Sequence, residues 1–121
     1  MTINYENHGK YPDKILIRKF QGEVCVEDIL ESWTDLFDSG KLKSTITGVI
    51  NDLSVCDLKM NMADFKKLLD FLSENEILRS IKLAVITDSP KNVTFPKLAE
   101  SNKELRIKAF STLQAAEDWI I

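Results

Sequence analysis

Two short stretches near the start of this chain alternate or cluster apolar residues in the way that β-strands do. Residues 2–6 alternate apolar and polar positions, and residues 14–20 are rich in β-branched and aromatic side chains. The polar, turn-rich segment 7–13 joins them, and Gly22 is predicted to end the second stretch. The pattern therefore predicts an antiparallel β-hairpin at the start of the chain.

Helical periodicity follows the hairpin. From Val26, apolar residues recur at i, i+3, i+4, i+7 and i+11, which predicts a first helix that Gly40 ends. A third strand is predicted at 46–52, followed by a loop at 53–60. Asn61 is a favourable N-cap, and the apolar stripe after it predicts a second helix.

The second half of the chain continues to alternate strands and helices. The nearly continuous apolar run at 81–87 is typical of a parallel strand that is covered on both faces. A short polar helix is predicted around 95–102 and a fifth strand at 105–110, and Ser111 with Gln114 forms a capping box for a final helix. This order predicts an α/β fold with a five-stranded mixed, mostly parallel sheet and covering helices.

The composition is that of an ordinary soluble domain. The chain has 121 residues, of which 44% are hydrophobic and 29% charged, so a single domain over residues 1–121 is expected. The formal net charge of −3 argues against nucleic-acid binding, which needs a basic surface. No apolar run approaches the ~20 residues of a transmembrane segment, and no signal-peptide pattern is present, so we expect a cytoplasmic protein.

Few residues in the sequence have catalytic chemistry. Cys25 and Cys56 form no Cys-x-x-Cys motif, and we interpret both as small buried or half-buried apolar residues. His8 is the single histidine and has no acid or nucleophile at a recognisable spacing, so we expect it to be solvated. We therefore predict no catalytic residue, no metal and no cofactor, and a protein that is not an enzyme.

Four stretches, spread over nearly the whole chain, resemble the SpoIIAA-like branch of the STAS domain superfamily. Gly22 and the acidic segment 26–28 (VED) resemble the family's glycine and the Thr-x-Glu-Asp start of its first helix. Residues 49–54 (VINDLS) resemble its strand ending in Asp-Leu-Ser, and 81–88 (IKLAVITD) its basic-Ile-Ala-Val-Val-x-Asp strand. Residues 107–120 resemble its closing segment, Val-Arg-x-Phe-x-Ser/Thr-x-x-Glu-Ala-x-x-Trp-Leu.

The resemblance implies the fold but not the phosphorylation switch. Anti-sigma-factor antagonists of this superfamily are phosphorylated on a serine in an Asp-Ser-Ser-Gly motif at the start of the second helix. Alignment through 52–54 (DLS) places 60–63 (MNMA) at that motif, where neither serine is present. The resemblance therefore implies a regulatory or scaffolding domain without the usual phosphoacceptor.

The carboxyl ends of the predicted strands supply the candidate polar site. Open parallel sheets bind ligands at this edge, although each residue there can instead be a turn or cap residue. Asp52, Asp57 and Asp88 could also form a hydrolase centre, if they approach one another closely enough to share an ion. The candidates are Asp52, Ser54, Asp57, Asp88, Ser89, Ser111 and Thr112 near strand ends, with Met60, Asn61, Met62 and Phe71 at and along the second helix.

Two surfaces are candidates for docking. Six acids and no lysine or arginine lie between Glu23 and Asp38, which is typical either of a solvated helix face or of a docking surface for a basic partner helix. Met60, Met62 and Phe71 are typical either of an adaptable interface or of a wide buried stripe. If Phe71 is exposed, we expect a homodimer formed through the second and third helices.

These patterns leave two main hypotheses besides the hydrolase. The first is a non-enzymatic regulatory or scaffolding domain that binds a protein partner or a second copy of itself. The second is a module that binds a hydrophobic small molecule or a lipid. Its apolar cleft would be formed by Met60, Met62, Phe65 and Phe71.

Overall fold

A computed structural model describes residues 1–121, apart from the side chain of Lys91, and in this described part five strands form one sheet. The strands lie side by side in chain order. They are β1 (Thr2–Asn7), β2 (Ile15–Cys25), β3 (Gly48–Lys59), β4 (Lys82–Ile86) and β5 (Arg106–Phe110). The helices are α1 (Val26–Ser39), α2 (Met62–Glu74), α3 (Glu76–Ser80), α4 (Pro90–Ala99) and α5 (Leu113–Ile120).

The sheet has the predicted mixed topology. β1 and β2 pair in antiparallel fashion, which confirms the N-terminal hairpin. β2, β3, β4 and β5 are parallel to one another, and helices connect them. The predicted α/β fold class is therefore confirmed.

The loop predicted at 53–60 is wrong, because β3 continues to Lys59. A one-residue irregularity in the β2–β3 pairing interrupts the two-residue alternation at this point. As a result Leu53, Cys56 and Leu58 all pack with the same apolar cluster, although the first two are separated by an odd number of positions. This shift hides the strand from a search for strict alternation.

The predicted end of β2 at Gly22 is also wrong. Gly22 has a φ of +82°, a conformation that favours glycine, yet it still pairs with Cys56. β2 therefore runs on to Cys25 and leads directly into α1.

Both long predicted helices are confirmed. Gly40 ends α1 in the left-handed conformation, as the C-terminal glycine signal predicts. Asn61 caps α2: its side chain accepts the N–H of Asp64 at 2.8 Å, and the Asp64 carboxylate accepts the N–H of Asn61 at 3.2 Å.

Three short helical features differ from the predictions. α3 is a five-residue turn that is too short to show periodicity. α4 begins at Pro90, five residues before the predicted start, because proline is compatible with the first turn of a helix, and Pro96 lies inside it. Thr112 caps α5 in place of Ser111, and its hydroxyl accepts the N–H of Ala115 at 3.2 Å.

Apolar clusters cover both faces of the sheet. On one face, α1, α2 and α3 pack over residues such as Leu16, Phe20 and Leu83. On the other face, α5 packs over the second cluster, and Gly48 comes so close to Ile120 that a Cβ atom there would lie 2.5 Å from its side chain. Among the described residues, none of the helices is long and apolar enough to cross a membrane.

His8 is buried, contrary to the expectation that it is solvated. Its Nδ1 atom accepts the backbone N–H groups of Lys10 and Tyr11, each at 3.1 Å. Its Nε2 atom lies 3.2 Å from Oε2 of Glu117, and both side chains are less than 10% exposed. A contact between residues 109 positions apart thus ties the hairpin loop to α5, and no local pattern could predict it.

Candidate functional site

A row of polar side chains crosses the sheet face that α1 covers. Tyr5, Arg18 and Asn51 occupy paired register positions on β1, β2 and β3. Arg18 lies between Leu16 and Phe20 on this face, since alternate residues of a strand point the same way. The residue is fully buried, with 0% of its surface exposed.

The guanidinium of Arg18 has neutral hydrogen-bond partners. Its Nη1 atom donates to Oδ1 of Asn51 at 3.0 Å, and its Nη2 atom donates to Oγ of Ser32 on α1. Tyr5 donates its hydroxyl proton to the backbone carbonyl of Ser32 at 3.3 Å. The Nε atom of Arg18 has no hydrogen-bond acceptor among the described residues.

Aromatic rings provide further stabilisation of this cation. The Cζ atom of Arg18 lies 3.9 Å from the centroid of the Trp33 ring and 5.0 Å from that of Phe20. Cations over aromatic faces gain electrostatic energy, which is larger where water is excluded. No described carboxylate lies within ion-pair distance of Arg18, so its charge is not neutralised.

Burial changes the acid–base behaviour of this side chain. Loss of hydration lowers the pKa of Arg18 from its ordinary value to about 9, and the neighbouring Tyr5 opposes part of this change. The guanidinium therefore remains charged at neutral pH. A buried charge without an ionic partner is energetically costly, and an anion placed beside it would recover part of that cost.

An apolar cavity of about 100 Å³ lies between this face of the sheet and the helices α1, α2 and α4. Among its described lining residues, Arg18 and Asn51 are polar and the others are apolar. Phe65 of α2 and Phe95 of α4 pack against each other in its wall, with ring centroids 4.9 Å apart.

The residues of the predicted apolar cleft are divided between different places. Met60 and Phe65 line the cavity beside Arg18. Met62 is exposed on the first turn of α2. Phe71 is half-buried and lines a separate surface groove together with Leu30 of α1.

Asp52 and Ser54 form a local turn at the irregularity in β3. One carboxylate oxygen of Asp52 accepts the N–H of Ser54 at 3.0 Å and its hydroxyl at 2.6 Å. Asp57 lies further along β3, where its carboxylate is 2.9 Å from the ammonium of Lys59. Burial, and then the charges of Asp57 and Asp52, raise the pKa of the half-buried Cys56 thiol to about 11.

The structure does not bring the three candidate aspartates together as a metal centre. Asp52 and Asp57 lie on one strand, and a rise of about 3.3 Å per residue separates them by roughly 16 Å. Among the described residues, no group of three His, Cys, Asp or Glu side chains could hold a metal ion. The hydrolase hypothesis therefore loses its geometric basis.

The remaining polar candidates lie where short elements begin. Asp88 is exposed and Ser89 half-buried in the segment before α4. Ser111 and Thr112 lie just before α5 and are both exposed. Their participation in binding stays a prediction.

Four of the six acids in the acidic stretch form one exposed stripe on α1. Asp28 differs from the other acids of the stretch, because its carboxylate accepts the N–H of Cys25 at 3.1 Å, which lowers the pKa of Asp28. Lys67 of α2 approaches one end of the stripe, 3.8 Å from Glu27. We call the exposed residues at i, i+4, i+8 and i+11 the acidic face: Glu27, Glu31, Asp35 and Asp38.

Two important residues were missed in the sequence. Arg18 is detectable in principle, because a charged residue between Leu16 and Phe20 interrupts the buried side of a strand. Asn92 carried no such signal. Its buried amide accepts the N–H of Leu58 and donates to the carbonyls of Leu53 and Cys56, which ties α4 to β3.

No protein-family profile and no curated protein matches this sequence. Solved structures do match it. An uncharacterised DUF3478-family protein with a SpoIIAA-like fold from Shewanella loihica PV-4 is 24% identical, with a TM-score of 0.61 over 99% of this chain and 93% of the other. An anti-sigma factor antagonist from Mycobacterium paratuberculosis is 16% identical, with a TM-score of 0.62 over 98% and 92%.

The unphosphorylated anti-sigma factor antagonist SpoIIAA is similar in the same way. It is 16% identical, with a TM-score of 0.58 over 98% of this chain and 97% of its own. The chain therefore has the SpoIIAA-like STAS fold that the resemblance in its sequence predicted. At these levels of sequence identity, the structural similarity shows the fold alone.

Proposed function

We propose that this chain is a non-enzymatic regulatory or scaffolding domain that binds a basic segment of a protein partner. The observation that carries the proposal is the acidic face of α1. Its four carboxylates share one side of the helix, while Trp33 and Leu36 on the opposite side are buried in the core. A stripe of one charge sign attracts and orients a partner segment of opposite sign.

The groove beside the acidic face supplies a place for an apolar anchor. Leu30 of α1 and Phe71 of α2 line it, together with the basic and acidic side chains of Lys67 and Asp70. Interfaces gain most of their energy from a few apolar anchors that are surrounded by polar contacts. A basic helix with one apolar side chain directed into this groove is the partner segment that fits best.

Fold neighbours support a regulatory role. Two of the similar solved structures are named anti-sigma factor antagonists. The segment 60–63 reads MNMA here, so we propose regulation without phosphorylation at that point. Phe71 is half-buried, and we therefore give a partner protein preference over a homodimer.

The test compares two variants that change the net charge equally. In the first, Glu31, Asp35 and Asp38 become lysine on the acidic face. In the matched control, the exposed Asp13, Glu76 and Glu104, which lie outside the acidic face and the groove, become lysine. Partners are captured from the native source with each protein and identified by mass spectrometry, and their binding is measured again with purified components.

We expect the acidic-face variant to bind the purified partner roughly 10- to 100-fold more weakly, and the control to bind like the wild type. Salt should weaken wild-type binding, because exposed charges are screened within about 10 Å at 0.1 M. A partner that binds all three proteins equally would overturn the proposal. The proposal would also be overturned if every partner captured by the wild type were captured by the acidic-face variant as well.

The cavity beside Arg18 favours a second candidate function, the binding of a small molecule. Of the predicted cleft residues, Met60 and Phe65 line this cavity. A ligand that binds only the folded chain raises its melting temperature by an amount that grows with ligand concentration relative to Kd, so a thermal-shift screen tests this candidate on the isolated protein.

A further inference from the structure

The charge of Arg18 is the first feature that points to a specific class of ligand. Arginine has five N–H donors, and its neutral partners Asn51 and Ser32 each accept one hydrogen bond from it. The Nε–H group has no acceptor among the described residues. The side chain thus retains both an uncompensated positive charge and unused donors.

The planar guanidinium suits one ligand chemistry above others. Its adjacent N–H groups form parallel hydrogen bonds with the two oxygens of a carboxylate. Such a group would supply the missing acceptor for Nε and the missing negative charge together. In the absence of water, a charge-assisted hydrogen bond of this kind is stronger than a neutral one.

The surroundings of Arg18 specify the remainder of the ligand. Apart from Arg18 and Asn51, the described lining is apolar, with Leu68, Phe65 and Phe95 on the helical side. An apolar tail would therefore gain from burial there, whereas a second charged group would have no partner. This excludes dicarboxylates and sugar phosphates from the ligands that fit.

The cavity volume limits the size of the tail. An apolar cavity of about 150 Å³ holds one benzene molecule, so the space of about 100 Å³ here suits a tail of about four or five carbons. The Nε atom has less than 1 Å² of exposed surface, so a ligand must displace a neighbouring side chain to reach it. The flexible, half-buried Met60 in the cavity wall is suited to such a rearrangement.

We propose that this cavity binds a small monocarboxylic acid, with its carboxylate on the guanidinium of Arg18 and its short apolar tail between α2 and α4. The proposal rests on the second candidate function, the binding of a small molecule. It does not depend on the acidic face of α1.

The experiment measures binding of 3-methylbutanoate to the full chain at pH 7 by isothermal titration calorimetry and thermal shift. The neutral isostere 3-methylbutanamide tests the charge, and acetate and octanoate test the size. Arg18→Met removes the cation, and Arg106→Met is the matched control, because Arg106 is exposed on β5. Ala99→Leu fills the cavity while it leaves Arg18 in place.

We expect 3-methylbutanoate to bind the wild type and Arg106→Met at least tenfold more tightly than the amide. Arg18→Met should lose this preference, and Ala99→Leu should bind neither compound. If Arg18→Met fails to fold, the comparison of acid with amide on the wild type and on Ala99→Leu decides the question.

Three results would overturn the proposal, and they separate it from the function on which it rests. Equal binding of acid and amide, unchanged by Arg18→Met, leaves a small-molecule site but removes the anion. Tightest binding of octanoate assigns the site to a longer fatty acid or lipid. Failure of all four compounds to bind removes both the small-molecule function and the carboxylate site.

Discussion

Nη1 of Arg18 donates a 3.0 Å hydrogen bond to Oδ1 of Asn51, its register partner on the neighbouring parallel strand. Asn51 in turn donates to the carbonyl of Ala84 at 3.1 Å, on the next strand. A cation and an amide thus occupy the centre of a sheet face that is otherwise apolar. This arrangement stabilises the guanidinium less than a carboxylate would, which is why the pair gives the clearest predictions.

The first prediction concerns the cost of the buried cation. Asn51→Leu should lower the free energy of unfolding by about 2–4 kcal/mol, because it leaves Arg18 with one hydrogen-bond partner fewer. The double variant Arg18→Met/Asn51→Leu should be more stable than the wild type by about 1–4 kcal/mol, as found when buried polar groups are replaced by packed apolar ones. Urea unfolding of the wild type and both variants measures this, and a double variant that is no more stable than the wild type would contradict it.

The second prediction is a pH dependence. Burial lowers the pKa of Arg18 to about 9 in the folded chain, well below that of an ordinary arginine, so unfolding takes up a proton above about pH 9. Stability from this group therefore rises with pH above about 9, by at most about 1.4 kcal/mol per pH unit. Since other groups also titrate there, the quantity to compare is the unfolding free energy of the wild type minus that of Arg18→Met at pH 8.5 and 10.5. A difference that stays constant over this range would show that Arg18 keeps its proton.

The third prediction concerns the buried pair of His8 and Glu117. Replacement of either residue by alanine should cost about 1–3 kcal/mol, because the other is left buried without its partner. The double variant should cost less than the sum of the two. Lys19 and Glu6 form an exposed pair at 3.0 Å and serve as the control, with an expected loss below about 1 kcal/mol. Equal losses for the two pairs would mean that burial adds nothing to the His8 contact.

The fourth prediction concerns Cys56. Burial and the charges of Asp57 and Asp52 raise the pKa of its thiol to about 11. At pH 8, about one Cys56 side chain in a thousand is therefore a thiolate. In a Cys25→Ala background, iodoacetamide should therefore modify the folded chain far more slowly than the unfolded chain, and the rate should rise up to about pH 11. Mass spectrometry follows the reaction. Equal rates at pH 8 in folded and unfolded protein would refute the raised pKa.

Most elements could be predicted because their apolar residues repeat with a regular period. The hairpin, α1 and α2 are of this kind. β4 is indicated instead by a nearly continuous apolar run, because both of its faces are covered. The second half of β3 could not be predicted, because the irregularity near Leu53 shifts the alternation by one residue. The start of α4 at Pro90 could not be predicted, because Asp88, Ser89 and Pro90 continue no apolar period and are equally typical of a turn.

The candidate site was less predictable than the fold. Strand-end polar residues were easy to find in the sequence, but the polar groups of Asp52 and Thr112 are used in a turn and a cap. The cavity is formed by side chains from three helices and the sheet, which no local pattern brings together. Arg18 could have been found from its position between Leu16 and Phe20, yet its contacts with Ser32 and Trp33 depend on how α1 packs.

The most direct measurement on the buried cation is the ¹H–¹⁵N NMR signal of the Arg18 Nε–H group. The chain has three arginines, Arg18, Arg79 and Arg106, so three such signals are expected, and Arg18→Lys identifies the one of interest. On addition of 3-methylbutanoate, we predict a downfield shift of the Arg18 Nε–H proton, while the signals of Arg79 and Arg106 stay in place. An Arg18 signal that does not move at saturating acid, or that moves equally with 3-methylbutanamide, would contradict a carboxylate site at Arg18.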